Sequence, residues 1–148
     1  FLAELGGLKT AQSRLLTRKL YKIMNSVVLI KMLIVAITLG GIVKWFSVSI
    51  LNLSESSSWV VFLLVLAIPI KVYNSFLTSI LQRTGYYITV LHAAGLTLIF
   101  TLLFGGVFGL IGNIVGIAVA VIVAEIINMT YQKRKVRAIL FGMNNGIR

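Results

Sequence analysis

Four long apolar runs, joined by short polar connections, decide what this sequence can fold into. They cover residues 23–51, 58–81, 86–104 and 108–130. Each reaches the ~20 residues a helix needs to cross about 30 Å of hydrocarbon. None alternates strictly between apolar and polar residues, as strands of a membrane barrel would. A helix also pairs its own backbone N–H and C=O groups, which a segment in lipid must do because no water is there to pair them. The pattern therefore predicts an all-α polytopic membrane protein with about four transmembrane helices. Composition agrees: 59% of the residues are hydrophobic and 11% are charged, against about 25% charged in soluble domains. A chain of 148 residues has too little interior to hide that much apolar surface from water.

The charges report topology. Of the 14 basic residues, Lys9, Arg14, Arg18, Lys19 and Lys22 precede the first run. Arg83 sits in the second connection, and Lys133, Arg134, Lys135, Arg137 and Arg148 follow the fourth run. The first connection (NLSESS, 52–57) and the third (Gly105 and Gly106) carry no Lys or Arg. Basic residues on alternate connections place both termini on the cytoplasmic side. The net charge of +11 is thus explained by topology, and a nucleic-acid partner is not expected. Tyr86, Tyr87 and Tyr131 fall at expected cytoplasmic ends, and Trp45 and Trp59 near outer ends, where amphipathic rings favour the interface. Residues 1–22 are basic and place Leu8, Ala11, Leu15, Leu16 and Leu20 at helical spacing, a pattern for an amphipathic helix on the cytoplasmic side. Residues 131–148 read as a basic cytoplasmic tail.

Ionisable residues inside hydrocarbon are costly and mark candidate sites. Five fall within the runs: Lys31, Lys44, Lys71, His92 and Glu125. Lys71 lies deepest, two residues after Pro69, and Asn74, Ser75, Thr78 and Gln82 follow on the same helical face. That stripe predicts a wall of a hydrophilic pathway that attracts anions; interhelical hydrogen bonding is the alternative. Lys31 and Lys44 could serve the same cavity or extend to the interface. His92 and Glu125 are candidates for proton transfer, for packing or, in the case of Glu125, for pairing with a base. Gly109, Gly112, Gly116 and Ala120, with Gly105 and Ala124, step by three or four, a ridge that lets helices approach closely. No cysteine is present and the one histidine excludes a His cluster, so no metal or cofactor is expected. No carboxylate pair or phosphate-binding glycine loop suggests an enzyme.

Several segments are similar to a known family. LLTRKLYK leads into the first run, NSFLTSILQRTGYY closes the second, and the third run reaches FGGVFGLIGNIVGIAVAVIVAEI, which continues through the fourth. Together they resemble the C-terminal segment of Wzx-type polysaccharide (O-antigen) flippases, within the multidrug/oligosaccharidyl-lipid/polysaccharide exporter superfamily. The resemblance implies one part of a larger two-bundle transporter in the bacterial inner membrane. Its substrate would be an undecaprenyl-pyrophosphate-linked oligosaccharide, and its partners the membrane lipids and the N-terminal remainder of the same transporter. A first residue of Phe rather than Met fits a piece of a longer chain. The implied cationic cavity residues are Lys31, Lys44 and Lys71. Two other readings stay open: a drug or metabolite antiporter of the same superfamily, using Glu125 and His92 for protons, and a small four-span helper that anchors or assembles a partner.

Overall fold

The computed structural model describes residues 11–142 and is all helical. Helix α1 (Ala11–Ile23) passes through a π-helical turn (Met24–Val28) into α2 (Leu29–Ser49), so these residues form one continuous rod. Helices α3 (Glu55–Arg83), α4 (Tyr87–Leu110) and α5 (Ile114–Phe141) follow. The helices α2 to α5 are each long and apolar enough to cross a membrane. Lys9 and Arg148 lie outside the described residues.

Local chemistry sets the helix ends. Ser54 caps α3: its hydroxyl accepts from the Ser57 N–H at 3.3 Å, and Glu55 adds negative charge to the first turn. Gly85, at φ +81°, makes the tight α3–α4 connection that a Cβ would strain. The third connection differs from the expected one. The pair Gly105 and Gly106 lies inside α4, which continues to Leu110. Glycine weakens a helix in water, but in lipid a broken helix would leave backbone groups without partners. The chain turns instead at Gly112, whose φ is +69°, and Asn113 caps α5 by accepting from the Gly116 N–H at 2.9 Å. Of the segment 131–148, expected as a tail, residues 131–141 continue α5, which runs on to Phe141, and residues 143–148 lie outside the described residues.

The four spanning helices form a layer in the order α2, α3, α5, α4. Helices α3 and α4, though joined by a short turn, scarcely meet, because α5 lies between them. Side chains pair Asn74 with Glu125 and Thr78 with Gln132, so α3 and α5 run in the same direction. The apolar core sits at the basic end. There Tyr21 of α1, Tyr73, Leu77, Ile80 and Leu81 of α3, and Val136 and Leu140 of α5 bury one another. Arg18 fastens α1 to this end: its Nε donates to the Leu140 carbonyl at 2.6 Å and its guanidinium lies 5.6 Å from the Phe141 ring centre. The apolar stripe expected along α1 faces away from this core, since Leu15, Leu16, Leu20 and Ile23 are all exposed.

Small residues carry the closest approaches. Gly116 packs so near Phe108 that a Cβ would lie 2.5 Å from its ring. Ala120 and Ala124 are buried on the same helix. Gly109 and Gly112 differ from the expected ridge, the first being exposed in α4 and the second forming the turn.

Candidate functional site

The polar stripe of α3 divides. Spaced at 100° per residue, Lys71, Asn74, Ser75, Thr78 and Gln82 cover an arc of about 100°, and the edge of the α3–α5 contact falls within it. Asn74 is 5% exposed and Thr78 is half-buried; both turn toward α5. Lys71, Ser75 and Gln82 are exposed. One sequence pattern therefore supplies two different surfaces.

The inward half forms a polar ladder between α3 and α5. The Asn74 amide Nδ2 donates to the Glu125 carboxylate at 2.7 Å and to the Glu125 backbone carbonyl at 3.0 Å. One turn further, the Thr78 hydroxyl donates to the Gln132 Oε1 at 3.1 Å, and the Gln132 Nε2 donates to the Asn128 Oδ1 at 2.8 Å. Interhelical bonds of this kind contribute about 0.6 kcal/mol each in membranes. They fix register, because sliding one helix past the other would leave polar groups in hydrocarbon without partners. Sequence reasoning missed Gln132, which it placed in the tail. The spacing of Glu125, Asn128 and Gln132, at i, i+3 and i+7, was the available signal.

Glu125 thus takes an amide partner rather than a base. Among the described residues no Lys or Arg forms an ion pair with it. Beside it, the Asn74 Oδ1 is buried with no hydrogen-bond partner. His92 does not join this ladder; it is exposed on α4.

The outward half presents cations. Lys31 and Lys71 are both exposed, and among the described residues neither has a carboxylate within ion-pair distance. Lys31 precedes Asn52 by 21 residues and Lys71 follows it by 19. In an antiparallel helix pair rising ~1.5 Å per residue, their backbones differ in depth by about 3 Å. An apolar cleft of about 300 Å³ opens between the two helices, with Lys31 at its edge and Val35, Leu39, Val65, Ile68 and Pro69 among its walls. Pro69 has no N–H to give the Val65 carbonyl, and both residues border the cleft. Lys44 does not join this pair. It is half-buried, with its ammonium 3.2 Å from the centre of the Trp59 ring, a cation–π contact near the opposite end of the layer.

At the core the Tyr73 hydroxyl donates to the Asn25 Oδ1 at 3.1 Å, tying the π-helical turn to α3. π-Helical turns often accompany functional sites. Burial pushes the Tyr21 phenol above its ordinary value, while a hydrogen bond with Tyr73 and the charge of Arg137 oppose that shift. Compared with known protein families, curated proteins and solved structures, the chain matches none.

Proposed function

We propose that this chain is the C-terminal part of a flippase that moves an undecaprenyl-pyrophosphate-linked oligosaccharide across the bacterial inner membrane by alternating access. The observation that carries this reading is the pair Lys31 and Lys71: two exposed ammonium groups at matched depth on neighbouring spans, without carboxylate partners among the described residues. An unpaired cation at that depth is costly. A pyrophosphate passing along the α2–α3 face offsets the cost through charge-assisted hydrogen bonds. The resemblance of the sequence to Wzx-type flippases supports the same substrate. The apolar faces of α2 and α4, which nothing in this layer covers, supply surfaces for the remaining helices of a two-bundle transporter.

Within this scheme Lys71 is the principal anion contact and Lys31 its neighbour. The α3–α5 ladder keeps α3 in register, so that Lys71 stays on the outer face while Asn74 and Thr78 face inward. Lys44, engaged by Trp59, positions the far end of α2.

The test replaces Lys71 by Ala in the full-length transporter and measures glycan export, with the amount of inserted protein as a control. A hydrogen bond to a charged group contributes about 1.5–3 kcal/mol, so export should fall about tenfold or more, while Lys71→Arg should retain most of it. Unchanged export by a fully inserted Lys71→Ala protein would remove Lys71 from the pathway and the reading with it.

A further inference from the structure

A second cationic place lies at the basic end of the α3–α5 pair, just past the last rung of the polar ladder, where Lys133 follows Gln132. Where α1 meets the end of α5, a cleft of about 480 Å³ is lined by Tyr21, Lys22, Asn25, Lys133, Arg137 and Phe141. None of these residues is acidic. We propose that this cleft binds the phosphate of an anionic membrane lipid, with Lys133 and Arg137 as its main contacts.

The charges come first. Lys133 and Arg137 are four residues apart on α5, so they share a face. Like charges at that spacing repel, and among the described residues neither has an acid partner. Among the described residues the two carboxylates lie elsewhere: Glu55 opens α3 at the opposite end, and Glu125 meets Asn74 two turns before Lys133. Lys22 of α1 also lines the cleft. A phosphate offers oxygens to both Lys133 and Arg137.

The cleft is also built. Arg18 holds α1 against α5 through the Leu140 carbonyl and the Phe141 ring. The Tyr21 and Phe141 rings meet at 6.1 Å between centres. Asn25 is fixed by the buried Tyr73, which is 0% exposed. The walls therefore come from two elements, the rod and α5, whose relative positions are set by hydrogen bonds and apolar contacts, not from side chains on one free surface.

Position identifies a lipid as the source of the phosphate. Lys133 follows Ile114, the first residue of α5, by 19 residues, about the length of one hydrocarbon crossing. The cleft thus opens where lipid headgroups lie. Leu20, Ile23 and Val27, exposed beside it on the rod, offer apolar surface to the attached chains. Basic pockets among helices at the cytoplasmic interface are suited to such headgroups. This inference does not depend on the flippase reading, because it uses neither Lys31 nor Lys71.

The experiment uses the full-length protein purified in a zwitterionic detergent. Binding of phosphatidic acid, phosphatidylcholine and inorganic phosphate is measured by native mass spectrometry and by the shift in unfolding temperature. Wild type should retain phosphatidic acid in preference to phosphatidylcholine. A Lys133→Gln/Arg137→Gln protein should bind phosphatidic acid at least tenfold more weakly, with its unfolding temperature in lipid-free detergent unchanged. Lys133→Arg alone should bind phosphatidic acid like wild type, since it keeps the charge at that position. Equal retention of phosphatidic acid by wild type and the double variant would overturn the site. Equal stabilisation by inorganic phosphate at matched concentration would overturn the lipid as its ligand. Loss of folding in the double variant would be read through Lys133→Arg/Arg137→Lys, which keeps both charges and must bind like wild type if charge is what the cleft supplies.

Discussion

The inner helices α3 and α5 and the outer helices α2 and α4 solve the same physical problem in different ways. All four are apolar enough to sit in lipid. The inner pair buries polar side chains against each other: Asn74, Asn128 and Gln132 are at most 8% exposed, and each has a bonded partner. The outer pair buries little. Ala93 is the buried residue of α4, and Ala36, Gly40 and Ser47 are those of α2. Because lipid tails are as apolar as leucine, no hydrophobic force draws two membrane helices together. Close packing and hydrogen bonds must do so, and here both gather on α5. The difference shows which contacts specify the arrangement and which surfaces merely suit the solvent.

The strongest way to break the layer is steric, where the outer helix α4 meets the inner helix α5. At Gly116 even a methyl group would sit 2.5 Å from the Phe108 ring, and the helix backbones cannot separate there without opening the α4–α5 turn. Gly116→Leu should therefore destabilise the fold by about 3 kcal/mol, the upper part of the range for overpacking. Thermal unfolding in detergent micelles measures this directly. The same change at Gly41, where a Cβ meets nothing within 4 Å, should shift the midpoint far less. Equal effects at the two glycines would mean that close approach on α5 does not specify the layer.

The polar ladder gives a smaller and more diagnostic effect. Gln132→Leu removes the acceptor of Thr78 and the donor to Asn128, and should cost about 1 kcal/mol. Adding Thr78→Val to it removes one of the stranded groups, so the double variant should recover part of the loss. A double variant whose cost equals the two single costs added together would show that Thr78 and Gln132 are not coupled.

The spans, their number and the gathering of basic residues at one end were legible in the sequence, because hydrophobic length and charge placement are averages over many residues. What depends on one neighbour was not. Gly105 and Gly106 resembled a turn, but the chain stops where Gly112 can adopt a positive φ and Asn113 can cap the next helix, a signal the capping rules contain. The stripe from Lys71 to Gln82 was legible as an arc, yet no periodicity says where along that arc a second helix lands. Gln132 was hidden for a related reason: the charges that follow it resembled a tail, although they lie on the same continuous helix. Lys44 was legible as an interfacial lysine or a cavity residue, and only the position of Trp59 distinguishes the two.

The smallest effect concerns the outer helices and decides what surrounds them. Leu102 of α4 is 64% exposed. If only lipid meets it, Leu102→Ala exchanges one apolar surface for another and should change the stability of this 148-residue chain by less than about 0.5 kcal/mol, as surface substitutions do. In the longer two-bundle transporter that we propose, a face covered by further helices would behave as a core, where loss of a leucine side chain costs about 2–5 kcal/mol. Unfolding of the variant in both settings therefore sharpens the contrast between inner and outer helices. A large cost confined to the longer protein would make α4 an interior helix of a larger assembly, as the two-bundle proposal requires. A small cost in both would leave α4 on the lipid boundary and direct the search for the second bundle to the exposed face of α2.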